Sequence, residues 1–183
     1  MRQTIAIVSG TGAAGFGLAA RFARAGARVL VGSRDAQKAA DTARRIGAEG
    51  RLNADAVAEA DIVVLAVPLA AQISTLKSLH SSFRPSAVLV DATVPLEAAI
   101  GGRVAHALTL WAGSAAQQAA RHTPPGVSVV AAFHTLSAEL LAQLDRHRTI
   151  ETVTGRDELL ELAARRIWSQ MIDGSERSFE HRG

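Results

Sequence analysis

The sequence predicts an α/β fold, three layers deep, in which helices cover both faces of a mostly parallel sheet. Three observations carry that prediction. Short apolar runs suited to buried strands recur at Ile5–Val8, Val29–Val31, Ile62–Val67, Ala87–Val90 and Val127–Ala132. Stretches with helical spacing lie between most of them, so strands and helices alternate. The first run leads directly into Gly10-Thr11-Gly12-Ala13-Ala14-Gly15, a G-x-G-x-x-G turn that opens an alanine-rich helix.

That turn has a chemistry. Gly10 permits the turn, Gly12 lacks the Cβ that would hold a diphosphate away from the backbone, and Gly15 lets the helix approach the strand closely. The free amides of the turn and of Ala13 and Ala14, at the positive end of a helix, then face phosphate oxygens. A Rossmann-like domain that binds a dinucleotide through residues 10–15 is the expectation; a purely structural glycine turn is the alternative.

A second strand is expected over 27–32, and Ser33-Arg34-Asp35 opens a helix running through Lys38 to Gly47. The end of this strand selects between nicotinamide dinucleotides, because ribose hydroxyls want a carboxylate whereas a 2′-phosphate wants donors and positive charge. Ser33 offers a donor, Arg34 a planar cation and Lys38 a point charge one helical turn further on. Asp35 is the competing feature: it is either an acid of the NAD type or a carboxylate placed at the start of a helix, where it is favourable.

Leu52 belongs to a short edge strand and residues 55–60 form a brief helix. The next strand, 61–67, ends at Pro68, which places Val67 and Pro68 on the rim of the glycine turn as contacts for nicotinamide or its ribose, unless Pro68 merely stops the strand. Residues 72–80 are helical, and the strand at 87–91 delivers Thr93 and Pro95 to the same rim. Residues 101–111 read as an irregular insertion beside the site. Ser114 caps a helix, Pro124-Pro125-Gly126 resets direction, and the strand at 127–132 is followed by Phe133-His134-Thr135 and a short helix at 138–143. One more strand at 150–155, a helix at 157–171 and a polar tail at 173–183 complete the chain. The expected division is a nucleotide-binding domain over 1–155, with a C-terminal helix and tail over 156–183 packed on it.

Composition narrows the chemistry. With 183 residues, 48% apolar and 20% charged, the chain builds one substantial core. It has no cysteine, which removes disulfides, iron–sulfur clusters and thiol catalysis and leaves redox work to bound cofactors. The histidines show no metal-binding spacing, so no metal is expected. The net charge of +3 comes from scattered arginines without interleaved aromatics, which speaks against a nucleic-acid partner. The start shows neither a secretory signal nor a membrane span, so a cytoplasmic location is expected.

Several segments together resemble one family, the NADPH-dependent reductases of the deazaflavin coenzyme F420. They are Gly10–Gly15, Gly32-Ser33-Arg34 with Lys38, Ala66-Val67-Pro68, Thr93-Val94-Pro95-Leu96, Gly113-Ser114-Ala115-Ala116 and the segment from Ala132 to Ala138. The resemblance implies a Rossmann-like domain with a small C-terminal part, and hydride transfer between NADPH and F420 in either direction. It implies nucleotide contacts at Thr11, Ser33, Arg34 and Lys38, and places Pro95, His134 and Thr135 beside the stacked rings, with His134 and Thr135 as candidate catalytic residues. The family continues past its last helix with a further strand and helical segment, where residues 172–176 here lead into the polar tail. On that ground the chain is expected to be either a shortened reductase whose partner subunit completes the second-substrate pocket or a relative that binds NADP without turning over F420, and a homodimer that covers apolar helix surface is expected. Two other readings remain open at this point: an NADPH-dependent reductase of a small imine or carbonyl, and an NADP-binding module without turnover.

Overall fold

The computed structural model describes residues 3–95, 110–134, 136–142 and 153–154. Within them, strands and helices alternate as expected: β1 (Thr4–Val8), α1 (Ala13–Arg24), β2 (Arg28–Ser33), α2 (Ala36–Arg44), β3 (Glu49–Leu52), α3 (Asn53–Glu59) and β4 (Ile62–Leu65) form the first part. Then follow α4 (Leu69–Leu79), β5 (Val88–Asp91), α5 (Ala115–Ala120), β6 (Ser128–Ala132), α6 (Ala138–Ala142) and β7 (Val153–Thr154). The sheet order is β3-β2-β1-β4-β5-β6-β7; every pairing from β3 to β6 is parallel, and β7 runs antiparallel along β6.

The central strands β1, β2, β4 and β5 are mostly apolar because both faces are covered, whereas the edge strand β3, Glu49–Leu52, is polar and only half-buried. Ile5, Ile7, Val29, Val31, Ile62 and Val64 pack with Leu18 and Phe22 of α1 and Leu141 of α6. Their alternates, including Ala6, Val8, Leu30, Val63 and Leu65, pack with Val57 of α3, Leu76 and Leu79 of α4 and Ala119 of α5. Residues one apart along a strand point to opposite faces, so neither core tolerates a polar alternation.

Boundaries differ from expectation where caps decide them. The helix expected to run from Ser33-Arg34-Asp35 to Gly47 is shorter, from Ala36 to Arg44, because the Asp35 carboxylate accepts a hydrogen bond from the Lys38 amide at 3.0 Å and acts as its N-cap. The helix expected from Gln72 begins at Leu69, with Pro68 at its N-cap, so the segment after β4 is tighter than a loop of four residues. Ser114 caps α5 as expected and forms a reciprocal box with Gln117. The expected strand at 150–155 is represented by β7. Of the insertion expected at 101–111, residues 101–109 lie outside the described residues, as do the helix at 157–171 and the tail at 173–183; Leu110 forms an isolated bridge with Gly113.

Candidate active site

Parallel pairing delivers six strand ends to one rim: Ser9 after β1, Arg34 after β2, Asn53 after β3, Ala66 to Pro68 after β4, Ala92 to Pro95 after β5, and Phe133-His134 after β6. The chain reverses its direction of travel across the sheet between β1 and β4, and in open α/β sheets the crevice at such a switch point is where ligands bind.

The glycine turn sits at that point. A Cβ on Gly15 would lie 2.6 Å from the Ser9 carbonyl oxygen and 2.9 Å from Gly10 Cα, so glycine there is a condition of bringing α1 onto β1. A Cβ on Gly12 would meet only the Ser9 oxygen, at 3.4 Å, and otherwise open space. Gly12 is also the N-cap of α1 and has no side chain to satisfy the first-turn amides, and that turn carries no acidic residue. Thr11 is half-buried, and Gly12, Ala13 and Ala14 are exposed. The result is a helix N-terminus with uncapped donors on an accessible rim, the arrangement that suits a phosphate.

The expectation that Gly10 supplies the conformational freedom of the turn is corrected. The left-handed residue is Ser9, at φ 62°, while Gly10 serves by its size: a Cβ there would lie 3.0 Å from both the Ile7 oxygen and Val31 Cγ1. The strained Ser9 is held from a distance, its amide donating to Asn53 Oδ1 at 3.3 Å. Only the lack of a Cβ on Gly32 lets Asn53 in, since one would come within 2.6 Å of that same oxygen. Asn53 was not legible as a site residue, because its partner is 44 positions away.

At the end of β2, Arg34 and Lys38 are exposed, whereas Ser33 is buried and its Oγ accepts from the Asp35 amide at 3.2 Å. The Ser33 oxygen is thus engaged while its proton stays available as a donor. On the far side of the switch point, Val67 is half-buried and Pro68 exposed. A second left-handed residue, Phe133 at φ 70°, ends β6; its ring packs edge-on against Phe22 with centroids 6.1 Å apart, and the half-buried His134 follows it. Backbone strain held by surrounding structure thus marks the rim twice. Pro95 is half-buried on this rim, and Thr135 lies outside the described residues.

Thr93 turns inward. It is buried, and its hydroxyl lies 2.9 Å from Asp91 Oδ1 and 3.2 Å from Oδ2. Gln72, fully buried in α4, places its Nε2 3.1 Å from Asp91 Oδ1, 2.9 Å from Thr93 Oγ1 and 3.0 Å from the Ala115 carbonyl oxygen. Gln118 completes the group by donating to Gln72 Oε1 at 2.8 Å.

Burial pushes the Asp91 carboxyl above its ordinary range, against the opposing pull of hydrogen bonds from Gln72 and Thr93 and of the nearby His134. The folded protein therefore holds this proton more tightly than the unfolded chain does. The associated stabilisation is full below the unfolded value and is lost as pH rises through the raised one. Asp91→Asn cannot ionise, so its melting temperature should gain on that of the parent as pH is raised above the ordinary carboxylate range; a difference that does not change with pH would contradict the assignment.

Among the described residues no helix is long and apolar enough to cross a membrane, and no group of three or more His, Cys, Asp or Glu side chains gathers as metal ligands do.

Known proteins place this geometry in context. The chain is 43% identical to the F420-dependent NADP reductase of Methanothermobacter thermautotrophicus, over 95% of this chain and 79% of that one. To the F420-dependent NADP reductase of Methanocaldococcus jannaschii it is 34% identical, over 84% and 73% respectively. A solved structure of a hypothetical protein from Sinorhizobium meliloti superposes with a TM-score of 0.74 at 24% identity, covering 93% of this chain and 82% of the other, a likeness of fold alone. Residues 4–95 match the family described as NADP oxidoreductase coenzyme F420-dependent. On the extent of these matches, the chain belongs to the family of coenzyme F420-dependent NADP oxidoreductases.

Proposed function

We propose that the rim of this sheet carries out hydride exchange between NADP(H) and the deazaflavin coenzyme F420. The protein is an NADP-linked oxidoreductase of that family. The observation that carries the residue-level reading is the uncapped N-terminus of α1 beside the open side of Gly12, with Arg34 and Lys38 exposed at the end of the neighbouring strand. In this reading residues 10–15 hold the diphosphate, with the first-turn amides of α1 as donors, because the Gly10 amide is engaged by the Ile7 and Gly32 carbonyl oxygens and the Gly12 amide by that of Ser9. Ser33, Arg34 and Lys38 take the 2′-phosphate, and Asp35, engaged as a helix cap, is not spent on ribose hydroxyls.

When bound, the two coenzymes supply the chemistry: NADPH, a proton and oxidised F420 become NADP and reduced F420, or the reverse. What remains for the protein is to hold two flat rings in alignment and keep water away. Val67, Pro68 and Pro95 offer apolar rim surface for that purpose. Thr93 acts by holding the segment that bears Pro95, since its own hydroxyl is engaged inside. His134, with Thr135 next to it, orients the deazaflavin or donates a hydrogen bond to the charge that develops on it. The same reading makes the protein a cytoplasmic homodimer acting on small molecules, with no nucleic-acid partner.

His134→Ala tests the catalytic part. Turnover with F420 should fall about tenfold while the NADPH dissociation constant stays within about twofold, the pattern for a group that acts in the transition state rather than in binding. Equal losses in both, in a variant that retains its fold, would remove His134 from the ring site.

A further inference from the structure

A glutamine with no exposed surface is an expensive choice for a helix that otherwise packs leucines on the sheet. Gln72 shares its buried face of α4 with Leu69, Leu76 and Leu79. A carboxamide there costs free energy unless every polar atom is paired, whereas leucine of nearly the same volume would fill the space without that condition. Each of its two polar atoms is in fact paired. Nε2 serves three acceptors with two hydrogens, one of them shared, and Oε1 accepts from Gln118.

The partners are informative because of where they lie. Asp91 is the last residue of β5, and Thr93 belongs to the irregular segment that runs from that strand end along the rim to Pro95. Apart from these side-chain bonds, the segment is tied down by the Ala92 amide on the Leu65 carbonyl oxygen at 3.2 Å and the Thr93 amide on Asp91 Oδ1 at 3.3 Å. The Ala115 carbonyl and Gln118 belong to α5, on the same side of the sheet. One buried carboxamide therefore joins α4, the end of β5 and α5 at the point where the rim segment leaves the sheet. Fully satisfied buried networks of this kind fix one geometry out of several that apolar packing alone would accept.

We propose that Gln72 is a positioning residue for the ring site: through Asp91 and Thr93 it fixes the course of the Ala92–Pro95 segment, and with it the surface against which the reacting rings are aligned. This rests on the reading of that rim as the ring site. Gln72 touches neither coenzyme in this account. Its effect belongs to alignment, where small displacements are costly, and not to the phosphate end of the dinucleotide, which is held by residues 10–15 and Arg34.

The test has two readouts in Gln72→Leu. In the protein without coenzymes, amide hydrogen exchange at residues 92–94 should speed up about tenfold while β1 and α1 keep their protection. In the complete reaction, kcat for F420 reduction should fall about tenfold, with the NADPH dissociation constant within about twofold and the preference for NADPH over NADH unchanged. Unchanged exchange at 92–94 overturns the proposal. Faster exchange with an unchanged kcat overturns it as well, because Gln72 would then order the segment without serving the reaction. Should Gln72→Leu not fold, Gln118→Leu removes one anchor of the same carboxamide, and a rise of about threefold in exchange at 92–94 is expected; its absence is equally decisive. A parent protein that does not reduce F420 with NADPH fails the proposed function itself, a result distinct from any of these.

Discussion

Arg34→Ala should weaken NADPH binding about 30-fold while NADH binding changes less than about threefold. The asymmetry follows from charge: a guanidinium facing a 2′-phosphate makes charge-assisted bonds worth about 2 kcal/mol net, and that free energy is a factor of about 30 in the dissociation constant. NADH carries no such group and loses only incidental contact. Arg34 is exposed, and Asp35 beside it is committed to the Lys38 amide, so the substitution is expected to leave stability within about 0.5 kcal/mol. Raised salt should reduce the NADPH advantage of the parent in the same direction, because an exposed ion pair is screened. Titration of both dinucleotides by nicotinamide fluorescence reads the effect directly, and equal weakening of the two would remove Arg34 from the phosphate.

A second large effect separates the two roles of the glycine turn. In Gly15→Ala the new Cβ falls within 2.6 Å of the Ser9 carbonyl oxygen and 2.9 Å of Gly10 Cα, both backbone atoms that have no rotamer to retreat into. Either α1 lifts from β1 or the turn shifts. The expected loss is about 1–3 kcal/mol of stability, the range for overpacked sites, together with at least a tenfold loss of NADPH affinity as the amides leave their positions. Gly12→Ala is the contrasting case. Its backbone, at φ −78° and ψ 164°, accepts alanine, and the Cβ would meet the Ser9 oxygen only at 3.4 Å. That variant should melt within about 1 °C of the parent and still bind NADPH about tenfold more weakly, because the methyl occupies the space through which a diphosphate reaches the backbone. A Gly12→Ala protein that binds NADPH normally would make the turn structural only.

Much of this site could be read along the chain because its parts are local. β1, the glycine spacing and the start of α1 are contiguous, and Ser33, Arg34 and Lys38 fall within six positions, so apolar runs and spacing bring them together without any tertiary knowledge. The family resemblance drew on these segments and on further short ones at 66–68, 93–96, 113–116 and 132–138. Legibility stops where a residue's meaning depends on a distant partner. Ser9 is not a residue type that announces a left-handed backbone, and it is held there by Asn53, itself admitted by the missing Cβ of Gly32. Gln72 reads in sequence as a polar position near a helix start. It becomes a buried hub only when β5 and α5 bring Asp91, Thr93 and Ala115 to it. Thr93 was legible as a rim residue by its place after a strand, but the direction of its hydroxyl was not, since that hydroxyl is shared with Gln72, 21 positions away.

Mixing the protein with oxidised F420 and NADPH, beside an identical mixture with NADH, and following the deazaflavin absorbance reads hydride exchange and its dinucleotide preference in one experiment. Rapid bleaching is expected with NADPH and a rate at least tenfold lower with NADH at equal, subsaturating concentration, the selectivity residing in the end of β2. Tight NADPH binding without bleaching would contradict hydride exchange at this rim, and equal bleaching by both dinucleotides would contradict the role given to Ser33, Arg34 and Lys38.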